Sequence, residues 1–187
     1  MPCGMPSWGK LLGDLLEEAA KSVTTVGEEA SLKDCRDALT AFLYPTAASG
    51  VRQLLSKEEL RRRLTEAFDS AKLQRLTNEK QQRMLARMEN LVLGPWAGII
   101  TTNLDTLIES AFDRFPQPTA PFRCDGSQNA LGNVLCLPVG AGGFFVKLHG
   151  DTWADSQVLS TADYVQAWMA SPRIRHFLTA VMLRHRL

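Results

Sequence analysis

Two short apolar runs, set in a chain otherwise patterned for helices, constrain this sequence most. Ala97 to Thr102 is apolar and β-branched, and Phe144 to His149 is aromatic and apolar. Gly94 and Pro95 precede the first run and Gly140 to Gly143 the second, so both are expected as strands, the first buried on both faces. A helix over about Leu104 to Phe112 follows the first strand directly. Strand and helix in alternation predict an α/β fold built on a parallel sheet.

The rest reads as helix. Leu11, Leu12, Leu15, Leu16 and Ala19 recur at helical spacing behind Ser7, a residue type that caps helix starts. Ser31 with Asp34 predicts a second start, followed by Leu32, Cys35, Ala38, Leu39 and Leu43 and ended before Pro45. Ser56 with Glu59 forms a capping box, and the apolar periodicity predicts helix over 57–91, broken once near Thr77 and Asn78. Arg61, Arg62 and Arg63 lie there among Glu58, Glu59 and Glu66, the mixture of a solvated helix face. A loop rich in Pro and Gly is expected over 115–133, with a short strand around Val134 to Pro138. Beyond the second strand, Val158 to Ser160 is expected extended, Thr161 to cap a helix through Trp168, and Pro172 to open a last helix.

Charge and composition narrow the partners. The 187 residues carry 21 Lys and Arg against 20 Asp and Glu, a net charge of +1 that gives no basic field for nucleic acid or an anionic membrane. Every apolar run falls short of the roughly 20 residues that cross a bilayer. Met1 to Ser7 has no basic segment followed by an apolar stretch, so a cytoplasmic address is expected. Cys3, Cys35, Cys124 and Cys136 contain no CxxC pair, which argues against a zinc ribbon and a disulfide framework.

Each strand runs into a polar cluster: Thr101, Thr102, Asn103 and Asp105 after the first, His149, Gly150 and Asp151 after the second. Ligands in open α/β sheets bind outside the carboxyl ends of strands, so both clusters are candidates for one crevice. The same residue types cap helices at strand-to-helix turns, and a lone histidine there is often a hydrogen-bonded structural imidazole.

The order of three segments carries a family resemblance. Ile99 Ile100 Thr101 Thr102 Asn103 Leu104 Asp105 resembles the sirtuin pattern of threonine, any residue, asparagine, any residue, aspartate. Lys147 Leu148 His149 Gly150 resembles its histidine-glycine motif, and Gly4 Met5 Pro6 Ser7 Trp8 is similar to the loop after its glycine-rich turn. The likeness is to the zinc-free, sirtuin-like branch found in bacterial defence proteins. Classical deacylases fit less well, since only Cys124 and Cys136 lie between the two motifs, where those enzymes carry a four-cysteine zinc module, and Ser7 and Trp8 stand where they have Asp and Phe.

The resemblance implies a Rossmann-like parallel sheet with helices on both faces, as one domain over 1–187 with a helical insert at 24–92. The family pattern has a first strand with a GxGxS turn for the NAD pyrophosphate before the Met1 loop, and a further strand beyond the last helix. The chain is therefore expected to be a fold incomplete at both ends, with weak NAD turnover by itself. NAD is the implied substrate, cleaved to nicotinamide and ADP-ribose through oxocarbenium character at the ribose carbon, with no zinc. Asn103 is implied to orient water or the ribose, and His149 to act as general base. Asp105 would hold the carboxamide or the loop geometry, Thr101 and Thr102 would line the cleft, and Gly4, Pro6, Ser7, Trp8 and Gly150 complete the expected cofactor contacts. Two alternatives stay open: a non-catalytic NAD-sensing or assembly module, which keeps the NAD pocket and self-associates through helical faces such as residues 57–91, and an NAD-dependent protein deacylase.

Overall fold

The computed structural model describes residues 6–68, 78–124, 128–137, 143–151, 157–170 and 172–184. In chain order the elements are α1 (Trp8–Ala20), α2 (Val26–Thr40), α3 (Tyr44–Leu54), α4 (Lys57–Ala67), α5 (Asn78–Val92), β1 (Gly98–Thr101), α6 (Leu107–Arg114), β2 (Phe122–Cys124), α7 (Gln128–Leu135), β3 (Phe144–Lys147), α8 (Thr161–Tyr164), a π-helical stretch (Val165–Ala170) and α9 (Arg173–Arg184). The three strands form one parallel sheet in the order β1-β3-β2, with Gly98 opposite Phe144 and Thr101 opposite Lys147.

Strand periodicity sends alternate residues of β3 to opposite faces. Phe144, Val146 and Leu148 pack with Leu131 and Val134 of α7 and Ile174, Phe177 and Val181 of α9. Phe145 packs with Val92, Ile108, Ala111 and Phe112 from α5 and α6. Helices thus cover both faces of the sheet, as the α/β reading expects. The four residues of β3 are buried, whereas those of β1 are only half-buried, because β3 is the central strand and β1 flanks it. The expectation that the first strand is buried on both faces is corrected accordingly.

A second cluster joins α1 to α4: Leu11, Leu12, Leu15, Leu16, Ala19, Leu32, Cys35, Ala47, Ala48, Val51, Leu60 and Leu64. Leu104, from the loop after β1, and Leu159 are buried in the same cluster, so this helical layer meets the sheet where its strands end. Arg52 of α3 strengthens the junction, donating to the Gln157 carbonyl at 2.8 Å and pairing with Asp163 at 3.1 Å. Arg62 and Arg63 pair with Glu59 and Glu66, holding the Glu59 carboxyl down to about 2, and Arg63 also reaches Glu18 of α1 at 2.6 Å.

Several elements differ from the sequence reading. Helix α2 begins at Val26, because Thr25 and Glu28 form a reciprocal capping box; Ser31 lies inside the helix, its hydroxyl donating to the Gly27 carbonyl. Helix α2 ends at Thr40, before Pro45 as expected, and Pro45 sits in the first turn of α3, where its missing N–H costs nothing. Val134 belongs to helix α7 rather than to a strand, and the third strand is instead Phe122–Cys124, within the expected loop. Ser160, not Thr161, caps α8, in a capping box with Asp163. The stretch expected as helix over 57–91 with one break near Thr77 and Asn78 forms α4, which ends at Ala67, and α5, which starts at Asn78; Leu73, Leu76 and Thr77, like Pro138 and the 140–142 part of the glycine turn, lie outside the described residues.

Candidate functional site

Parallel pairing brings the two polar clusters to one end of the sheet. The ladder of β1 and β3 continues past its last registered pair, with the Leu148 N–H donating to the Thr101 carbonyl at 2.8 Å. The chain after β3 then turns, Gly150 N–H donating to the Lys147 carbonyl at 3.1 Å, with Gly150 at φ 77, a left-handed conformation that glycine adopts freely. The loop after β1 folds locally: the Thr101 hydroxyl accepts from Asn103 N–H at 3.0 Å, and Asp105 Oδ1 accepts from Leu107 N–H at 3.1 Å, an i,i+2 turn that leads into α6. Leu104, 1% exposed, anchors this loop in the helical cluster. Thr102 and Asn103 are left exposed beside it.

Asn103 and Asp105 line a cavity of about 240 Å³ together with Pro6, Trp8 and Met84, among others. The structure therefore brings Pro6 and Trp8 to the loop after β1. Ser7 is outside that lining; its side chain accepts from Lys10 N–H at 3.2 Å and caps α1. Gly4 lies outside the described residues. At about 240 Å³ the cavity is below the roughly 300–1,000 Å³ of pockets that enclose a whole drug-sized ligand.

His149 stands apart from that cavity. It is 8% exposed, hydrogen-bonds with the Thr102 backbone and meets Tyr164 edge-on; Val158 N–H donates to its backbone carbonyl at 3.0 Å. Its Nδ1 is buried with no hydrogen-bond partner. Burial pushes the imidazole pKa below the usual 6.5, a shift that the Thr102 backbone opposes, so the ring is neutral at pH 7.

Two residues of this region carried no assigned role in the sequence reading, Lys147 and Glu109, and Asp151, part of the second polar cluster, joins them. Lys147 is 2% exposed and its Nζ contacts the carbonyls of Leu104 (3.1 Å) and Asp105 (2.8 Å), Glu109 Oε1 (2.8 Å) and Asp151 Oδ2 (3.4 Å). Burial raises the pKa of Glu109 and of Asp105, while the ammonium of Lys147 pulls both back down. The signal in the sequence is a single charge inside an apolar strand, which must find partners if buried.

Among the described residues no group of three or more His, Cys, Asp or Glu is arranged to hold a metal ion, and no helix is long and apolar enough to cross a membrane. No curated protein and no solved structure matches the chain. The family model of the SIR2-like domain matches residues 97–187, so the segment that carries all three strands and both polar loops is sirtuin-like.

Proposed function

We propose that this chain binds NAD at the carboxyl ends of β1 and β3 and hydrolyses it to nicotinamide and ADP-ribose. The observation that carries the reading is the register of the two strands, which sets the Asn103 loop beside the His149 turn, with His149 hydrogen-bonded to the Thr102 backbone. SIR2-like domains use NAD, and the matched segment contains both loops.

Cleavage of the nicotinamide–ribose bond spreads positive charge over the ribose carbon and needs a placed water. The Asn103 amide orients water or a ribose hydroxyl without ionising, and the exposed side chain on the cavity wall suits that role. His149, neutral at pH 7 and with a free Nδ1 lone pair, takes the proton from water or from a ribose hydroxyl. Asp105 keeps the loop in shape through its turn bond to Leu107 N–H. We assign Pro6 and Trp8, on the cavity wall, to the nicotinamide end of NAD, and Thr101, Thr102 and Gly150, outside that lining, to further cofactor contacts. Likeness to the bacterial defence branch adds the role of an effector that depletes NAD.

The test is chromatography of the natural full-length protein incubated with NAD. The reading expects nicotinamide and ADP-ribose in equal amounts, and a rate lowered about 100-fold or more by Asn103→Ala and by His149→Ala. Unchanged rates in both variants contradict it. The burial of His149 away from the cavity favours a second reading, an NAD sensor or assembly module; saturable NAD binding with no product is its signature. Acyl-ADP-ribose formed from an acylated peptide is the signature of a deacylase instead.

A further inference from the structure

A lysine ammonium taken out of water costs several kcal/mol unless its donors and charge are satisfied. Lys147 occupies the last position of β3, on the face that Phe145 turns toward α6, and its donors are consumed by groups from two separate loops. Leu104 and Asp105 offer backbone carbonyls from the loop that holds Asn103. Glu109, in the first turn of α6, supplies a carboxylate at 2.8 Å and is only 18% exposed. Asp151, two residues past His149, supplies a second carboxylate at 3.4 Å. One ammonium thus joins the Asn103 loop, helix α6 and the His149 turn, although Asn103 and His149 themselves touch neither it nor each other through any of these bonds.

We propose that Lys147, braced by Glu109, is a positioning residue that holds the Asn103 loop and the His149 turn in one fixed frame. The inference rests on the hydrolase reading for its kinetic consequence alone. Two carbonyls pinned at consecutive residues, 104 and 105, fix the peptide planes that follow Asn103, and so the direction its amide takes into the cavity. A neutral side chain at 147 leaves both carbonyls and the Glu109 carboxylate without their donor, and the loop relaxes to pair them with water. Displacement of a positioned group by about 1 Å costs on the order of 100-fold in rate.

Lys147→Met, close to lysine in volume, is the primary test, read by nicotinamide release and by the side-chain amide resonance of Asn103 in protein labelled with 15N-asparagine. The expected result is a folded protein by circular dichroism, with kcat lowered about 100-fold, KM within about threefold, and the Asn103 amide resonance displaced. An unchanged resonance with unchanged kcat overturns the proposal and leaves the hydrolase reading intact. If the wild-type protein releases no nicotinamide, the hydrolase reading fails and the Asn103 resonance alone decides the positioning claim. Should Lys147→Met not fold, Glu109→Gln keeps the ammonium and its two carbonyl bonds while loosening the brace. A roughly tenfold lower kcat at constant KM with a displaced resonance is expected; no change in either overturns the proposal.

Discussion

The His149 imidazole meets the ring of Tyr164 edge-on, with centroids 5.3 Å apart and planes at 82°. Tyr164 closes α8 just before the π-helical stretch Val165–Ala170, so the histidine is shut in by a segment 15 positions further along the chain. That enclosure is what lowers the imidazole pKa.

The shift makes stability depend on pH. Above about 6.5 both folded and unfolded chains hold His149 neutral, and its contribution to stability is full. As pH falls through the unfolded value of 6.5, the unfolded chain takes up a proton that the folded chain refuses until its lower pKa, and stability drops. Glu109 and Asp105, whose folded values are raised, act in the opposite sense: their contribution is present below 4.5 and 3.8 and fades as pH climbs through the folded values. Urea unfolding of wild type and His149→Asn at pH 7.5 and pH 5.5 separates these. The loss on acidification should be smaller in the variant; equal losses contradict the assignment.

Phe42 takes φ 59 at the end of α2, where its N–H donates to the Leu39 carbonyl and the next N–H, of Leu43, to the Ala38 carbonyl. Glycine or asparagine is the usual residue at this left-handed position. The ring is 75% exposed, so little burial is lost on removing it. Phe42→Gly relieves about 1–2 kcal/mol of left-handed strain against about 0.5–1 kcal/mol of added chain entropy. A net gain of about 0.5 kcal/mol is expected in denaturant unfolding, and a loss of about 1 kcal/mol contradicts it.

Leu64 is fully buried in the cluster that also holds Leu104. Leu64→Ala should cost about 2–5 kcal/mol by chemical denaturation. Because Leu104 shares that core, the same substitution should also broaden the Asn103 amide resonance under native conditions. Destabilisation below about 1 kcal/mol contradicts the packing described.

Much of this architecture was legible from residue pattern. The aromatic run at Phe144 stands out between glycines and a polar turn, and α1 shows five apolar residues at helical spacing behind Ser7. Val134 to Leu137 misled because a run of four apolar residues suits strand or helix alike, and the helical spacing of Leu131, Val134 and Leu135 is the discriminating signal. Helix α2 starts at the reciprocal box of Thr25 and Glu28 rather than at the expected Ser31 with Asp34, because that box satisfies two backbone donors at once. Asn103, Asp105, Pro6 and Trp8, singled out by their motifs, line one cavity, whereas His149 lies apart from it. The role of Lys147 was not legible, since Glu109 lies 38 positions earlier and backbone carbonyls leave no mark in sequence.

The most direct measurement is an NMR titration of the full natural chain with NAD, following the Asn103 side-chain amide and the His149 imidazole together. Convergence of both strand ends on one dinucleotide predicts that the two resonances shift along a single saturation curve, and that Asn103→Ala weakens the response at His149. A response at the amide with none at the imidazole, or two curves with different midpoints, contradicts a shared site.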